Sequence, residues 1–123
     1  MSDKKTFSET YNGKPVVIMG EEWTIEVVPY DDPKMETNQC NGLCESYTKT
    51  IKIRDLNGDP KKLELYDNID EFMRKVLRHE LLHAFFHTIC NQKYNEDEEL
   101  VETLAHALPK IAKIMERAGV LWG

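Results

Sequence analysis

The stretch His79-Glu80-Leu81-Leu82-His83 has residue types and a spacing suited to chemistry, in the pattern H-E-x-x-H. Two histidines four residues apart lie on one face of an α-helix, so both imidazoles can reach one metal ion. The glutamate beside the first histidine can take a proton from a water on that ion. This H-E-x-x-H motif therefore predicts metal-assisted hydrolysis, with His79 and His83 as metal ligands and Glu80 as general base. The alternative is a buried helix that carries two histidines without a metal.

The third metal ligand must come from outside the motif, because a catalytic zinc ion has three protein ligands and one open position. Glu98 is our preferred candidate, since it lies three residues before Val101 at the start of a second apolar stripe. Glu102, four residues later, would orient a ligand histidine from behind. Glu99 and Glu102 stay open as alternative ligands, and His106 ranks behind Glu98.

His87 follows His83 at the same spacing of four, but it is about 12 Å from His79 along the helix axis at 1.5 Å per residue. Three ligands along one straight helix cannot converge on one ion. We therefore expect His87 to pack or to support a ligand rather than to bind the metal.

The motif requires a helix, and the sequence predicts one over residues 68–91. Asn68 is a suitable N-cap with Glu71 three residues on, as in a capping box. Apolar residues recur at spacings of three and four, and the remaining sides are apolar as well, which indicates a central, buried helix. Histidines and a glutamate buried there need partners, and a metal ion would satisfy all three.

A second amphipathic helix is predicted over residues 95–118, with Asn95 as its N-cap. Pro109 lies within the apolar stripe and predicts a kink or a break. Gly119 predicts the C-terminal end of the helix. We expect residues 120–122 to dock back on the domain.

The first half of the chain predicts a small, mainly antiparallel sheet within residues 15–55. Short apolar or alternating runs indicate four strands. These are residues 16–19, 23–27, 43–47 and 50–54. Residues 1–14 are expected to be loose at the start, and turns and loops are expected at residues 31–42 and 55–62. The chain is thus predicted to be one α+β domain over residues 1–123, a sheet followed by two long helices.

The composition is that of one globular domain, with 123 residues of which 41% are hydrophobic and 31% charged. A net charge of −6 argues against a nucleic-acid partner, which usually selects a basic face. No apolar run suits a membrane span or a secretory signal, so we expect a cytoplasmic protein. The odd set of cysteines, Cys40, Cys44 and Cys90, favours free thiols in a reducing compartment over disulfides or a cysteine zinc site.

A sheet, a helix bearing H-E-x-x-H and a second helix bearing a glutamate resemble the minimal zincin metallopeptidase unit. Glu98 and Glu102 match the spacing of the ligand glutamate and the acidic residue in thermolysin-like gluzincins. Over roughly residues 43–115 the chain is also similar to ImmA/IrrE-type peptidases and to small zincin-like proteins of bacteriophages. It departs from these families because no asparagine directly precedes Glu98. In addition, Val101 replaces the usual small residue, and Phe86 stands where metzincins have a glycine.

The resemblance implies a zinc-dependent endopeptidase that acts on a protein or peptide, in the host cytoplasm if a phage encodes it. His79, His83 and Glu98 would hold zinc, while Glu80 moves the proton. The strand at residues 50–54 could offer its edge to an extended substrate. SprT-like proteins place a third histidine downstream, which keeps His106 open as a ligand. The oxyanion donor stays open among Tyr47, Tyr94 and His106.

Two other functions stay open from the sequence. A non-catalytic zinc-binding module that interacts with or regulates another protein would keep the fold and the metal without turnover. A metal-free α+β interaction domain would need carboxylate partners for the buried histidines. The sequence predicts neither the substrate nor the oligomeric state.

Overall fold

The computed structural model describes residues 5–61 and 68–122 and has the predicted α+β architecture. A four-stranded sheet is followed by two long helices, α3 and α5. In chain order the elements are α1 (Phe7–Tyr11), β1 (Pro15–Ile18), β2 (Glu21–Val28), α2 (Pro33–Asn38), β3 (Gly42–Glu45), β4 (Thr50–Arg54), a 3₁₀ turn (Leu56–Gly58), α3 (Ile69–Thr88), α4 (Gln92–Asn95) and α5 (Glu98–Ala118).

The sheet has the strand order β1-β2-β4-β3. The pairs β1/β2 and β3/β4 are antiparallel, as predicted, whereas β2 and β4 pair in parallel, so the sheet is mixed. We expected residues 50–54 to offer an edge to a substrate. Strand β4, which they form, has a neighbour on each side and therefore cannot do so. Among the described strands, the outer edge on this side of the sheet belongs to β3.

Helix α3 begins at the predicted N-cap, where the Asn68 side chain accepts a hydrogen bond from the Glu71 N–H at 3.1 Å. The Glu71 side chain pairs with Arg74 and Arg78 rather than completing a capping box. The helix ends at Thr88, three residues before the predicted end. One face packs on the sheet through buried residues, namely Met73, Val76, Leu77, Glu80 and Ala84.

The chain reverses between the long helices through the short helix α4. We predicted Asn95 as the N-cap of the second long helix, but it is the last residue of α4 and does not cap that helix. Asp97 is the cap instead, and it accepts a hydrogen bond from the Leu100 N–H at 3.0 Å. Helix α5 then runs antiparallel to α3, so that its first two turns lie beside the H-E-x-x-H motif.

Helix α5 runs unbroken through Pro109, although the sequence predicted a kink or a break there. Proline has no N–H, so the carbonyl of Ala105, four residues earlier, lacks its helical donor. The Arg78 Nε–H of α3 donates to that carbonyl at 2.7 Å. A charged donor from the neighbouring helix thus replaces the missing bond and ties the two helices together.

Two segments expected to be loose or turn-like contain short helices. Helix α1 starts with a capping box between Thr6 and Glu9, and it buries Phe7. Helix α2 starts with Asp32 as N-cap and Pro33 in its first turn, and it buries Met35. Each element has a cap and one buried apolar anchor, which are signals that a search for long periodic patterns overlooks.

We expected residues 120–122 to dock back on the domain, but Val120 and Trp122 are 71% and 79% exposed, and only Leu121 is half-buried. Gly119 ends α5 in the left-handed conformation with φ 78°, as predicted. Of the apolar stripe on α5, Val101 and Ala105 are buried, and the part beyond them is largely exposed.

No helix in residues 5–61 and 68–122 is long and apolar enough to cross a membrane.

The expected loop at residues 55–62 contains the 3₁₀ turn, and its Leu56 is fully buried in the core. Parts of three predicted segments lie outside the described residues. These are residue 62 of that loop, residues 1–4 of the expected loose start, and the ends of the predicted 1–123 domain.

The contact between Arg78 and Ala105 generates a stability prediction. We expect Arg78→Met to lower the free energy of unfolding by about 1–3 kcal/mol, because it leaves a carbonyl without a donor. In a Pro109→Ala background the loss should shrink, since the new N–H restores the helical bond. The measurement is urea denaturation of the single and double variants.

Arg74→Met is the matched control, because Arg74 is exposed and pairs only with Glu71 among the described residues. We expect it to cost less than about 1 kcal/mol. Equal costs for Arg78→Met with and without Pro109 would show that Arg78 does not compensate for the proline.

Candidate metal centre

His79 and His83 lie one turn apart on α3, as the spacing of four requires. Their ring centroids are 4.9 Å apart, and their Nε2 atoms approach to 3.2 Å. Both side chains are mostly buried, with 17% and 15% exposed. The two Nε2 atoms therefore point at a common position beside the helix.

Each of these imidazoles is held from behind at Nδ1. His79 Nδ1 lies 3.0 Å from Glu102 Oε1, and His83 Nδ1 lies 2.8 Å from Asn95 Oδ1. A carboxylate and an amide oxygen can only accept, so both Nδ1 atoms carry the proton and donate. The two Nε2 atoms, which can then act as metal ligands, face each other at 3.2 Å.

Glu98, the first residue of α5, supplies a third donor group at this position. Its Oε1 lies 2.9 Å from His83 Nε2, and its Oε2 lies 3.2 Å from His79 Nε2. Ligand atoms of the three residues lie within 4.8 Å of one another, so the group could hold a metal ion. Tetrahedral zinc with bonds of about 2.0–2.1 Å has ligands about 3.3 Å apart, close to these separations.

Glu80 lies beside the ligand group and faces the sheet with 8% of its surface exposed. Burial raises the pKa of its carboxyl to about 7. His83 opposes that increase, and the nearby carboxylates of Glu98 and Glu102 add to it. A buried carboxyl beside the ligand group, with a pKa near neutrality, can both accept and return a proton at physiological pH.

Glu102 holds its position between two donors. Its Oε1 accepts from His79, and its Oε2 lies 2.8 Å from Lys75 Nζ. Burial raises the pKa of Glu102, but the hydrogen bonds from Lys75 and His79 outweigh that effect and keep the pKa below its usual value. Glu98 and Glu102 contribute two carboxylates, and Glu80 a third when it is ionised, against the ammonium of Lys75, and a divalent cation would offset this excess of negative charge.

These residues line one wall of a cleft of about 610 Å³ between β3, α3 and the first turns of α5. Strand β3 forms the opposite wall, with residues 40–44 and Ser46. Glu98 stands at the opening, with 68% of its side chain exposed, although we predicted it to extend a buried stripe.

Among the described residues, the remaining candidates lie outside the group of His79, His83 and Glu98. His87 lines the cleft and packs edge-on against Trp23, with ring centroids 6.5 Å apart. Glu99 and His106 are exposed on α5. Of the proposed oxyanion donors, Tyr47 is fully exposed, and Tyr94 packs against Phe86 away from the cleft lining.

Two polar residues of the site were missed from the sequence. Asn95 was expected to cap a helix and not to contact a ligand histidine. Asn95 lies three residues before Glu98, and the short helix α4 brings its side chain within hydrogen-bond distance of His83. Lys75 lies one helical turn before His79, on the motif's own helix face, and that spacing was the available signal.

No protein-family model, curated protein or solved structure matches this chain. The resemblance to gluzincins therefore depends on the motif residues and on the spacing of Glu98 and Glu102. The geometry that brings these residues together is a separate observation, made on the fold of this chain.

The hydrogen bond from His79 to Glu102 generates a prediction about metal affinity. We expect Glu102→Ala to weaken metal binding by about 10- to 100-fold, because His79 loses the acceptor that fixes its ring and tautomer. The measurement is competition with a chromophoric chelator. Glu99→Ala is the matched control on the same helix, and its metal affinity should not change. Equal affinities for the two variants would contradict the role of Glu102.

Proposed function

We propose that the chain is a zinc-dependent metallohydrolase, specifically an endopeptidase that cleaves a protein or peptide substrate. The observation that supports this most is the convergence of two imidazole Nε2 atoms and the Glu98 carboxylate on one position. Glu80 beside that position supplies the proton-transfer group that hydrolysis needs. The gluzincin resemblance is carried by the same four residues together with Glu102.

The donor set fits zinc. Two imidazole nitrogens and one carboxylate are ligands that Zn²⁺ accepts, and three protein ligands leave one position open for chemistry. The hydrogen bonds that His79 and His83 donate at Nδ1 are the support that ligand histidines have in zinc sites. Zinc, when bound, would lower the pKa of a water to near neutrality and polarise the scissile carbonyl.

The chain's own residues would then perform the remaining steps. Glu80 would accept the proton of the attacking water and deliver it to the leaving amine, so that one group acts first as base and then as acid. The outer edge of β3, which pairs with no other strand among the described residues, would align an extended peptide along the cleft through backbone hydrogen bonds. This moves to β3 the role that the sequence predicted for residues 50–54.

A cytoplasmic location is part of this proposal. Three free cysteines, one of them the exposed Cys90, suit a reducing compartment. If a phage encodes the protein, that compartment is the host cytoplasm.

Glu80→Gln separates catalysis from metal binding. The amide keeps the shape of the side chain but cannot accept a proton, so hydrolysis should fall by about 100-fold or more. Bound zinc should stay at the wild-type level, because Glu80 is not among the three ligands. The measurement combines cleavage of a broad peptide library with elemental analysis of the same samples.

Equal cleavage by wild type and Glu80→Gln would exclude Glu80 as the base. If zinc-loaded wild type cleaves nothing, the endopeptidase proposal fails, and a non-catalytic zinc-binding module accounts better for the site.

A further inference from the structure

Gly42, the first residue of β3, lies directly against the Glu80 side chain. A Cβ atom at Gly42 would be 2.8 Å from Glu80 Oε2, 2.9 Å from Glu80 Cγ and 2.7 Å from Val76 Cγ1. Real Cβ atoms essentially never lie so close to other heavy atoms. A side chain at this position is therefore incompatible with the observed place of the carboxylate.

The backbone at Gly42 does not itself require glycine. Among the described glycines, the positive φ angles belong to Gly13, Gly20 and Gly119, and Gly42 adopts an ordinary strand conformation. Space, not backbone conformation, thus distinguishes this position.

Neither the strand nor the helix is free to move apart. Gly42 pairs with Ile53 of β4, and the neighbouring Asn41 carbonyl accepts from the Arg54 N–H at 2.8 Å. Ile53 is fully buried, as is Met73 on α3. An added methyl group would therefore have to displace the side chains it meets, which are those of Val76 and Glu80, and the Glu80 side chain with its carboxylate is the more flexible of the two.

Packing also holds that carboxylate in place. No hydrogen bond involving Glu80 is found in residues 5–61 and 68–122, in contrast to Glu102 and its two donors. The position of Glu80 beside the ligand group therefore depends on the surfaces packed around it, and the backbone of Gly42 is one of these, since a Cβ there would lie 2.8 Å from Glu80 Oε2.

We propose that Gly42 is a positioning residue for Glu80, because its missing side chain leaves the space in which the carboxylate lies beside the ligand group. The inference rests on the proposed function for its catalytic consequence. The contact itself can be tested without activity.

The first experiment is a double-mutant cycle on metal-free protein. Gly42→Ala should lower the urea midpoint of the wild type and should lower it less in a Glu80→Ala background, where the clash with the carboxylate is gone. Gly58→Ala is the matched control, because its Cβ would also be tight, 3.0 Å from Tyr30 Cβ, but far from the cleft. Its effect should be the same with and without Glu80.

The second experiment measures kinetics and metal content. Gly42→Ala should bind as much zinc as wild type but lose roughly 10- to 100-fold in kcat with little change in KM, as expected when a base is displaced by about 1 Å. Gly58→Ala should keep the wild-type kcat.

The two experiments separate the possible failures. Equal midpoint shifts for Gly42→Ala with and without Glu80 would overturn the contact, and an unchanged kcat would overturn the positioning role. Loss of zinc in Gly42→Ala would also overturn it, because the effect would then pass through the ligands. If wild type hydrolyses no peptide, the proposed function fails, and the stability cycle alone decides the contact.

If Gly42→Ala does not fold, the same comparison is made in a Val76→Ala background. That substitution removes the aliphatic part of the clash and leaves the part with Glu80. Coupling between the Gly42→Ala and Glu80→Ala substitutions should persist there, and its absence would overturn the proposal.

Discussion

The two hydrogen bonds at the back of His79 and His83 are the interactions on which the site depends. Each fixes a ring and a tautomer, and together they leave two Nε2 atoms 3.2 Å apart beside the Glu98 carboxylate. Two imidazole nitrogens and a carboxylate oxygen brought together in this way are a donor set that a divalent cation accepts. The acceptors Glu102 and Asn95 come from different elements, so the site exists only when the chain after α3 folds back on it.

Other parts of the fold bring the chain after α3 back to these histidines. Helix α4 reverses the direction, and α5 continues through Pro109 because Arg78 satisfies the carbonyl that proline leaves without a donor. On the opposite side, the parallel pairing of β2 with β4 places β3 at the sheet edge, where Gly42 approaches Glu80. The metal ligands, the proposed base and the proposed substrate edge thus meet in one cleft.

Local patterns predicted the α+β class, the strand positions, both long helices, and the pairing of Glu98 and Glu102 four residues apart on one face. Features set by distant parts of the chain were not predictable from such patterns. The sequence predicts Asn95 to be a helix cap, whereas in the structure α4 places it behind His83. It likewise predicts an edge at β4, whereas β2 pairs with that strand. From the sequence, Gly42 is an ordinary turn glycine. Only its contact with α3 in the folded chain shows that its missing side chain leaves space for Glu80.

The most direct test is elemental analysis of bound metal per chain, on protein prepared without chelator, for wild type, His83→Ala and His106→Ala. The geometry predicts about one zinc per chain in wild type and in His106→Ala, and little in His83→Ala. Circular dichroism should show that all three are folded. Folded wild type without metal, or metal retained in His83→Ala, would contradict the assignment of His79, His83 and Glu98 as a metal site.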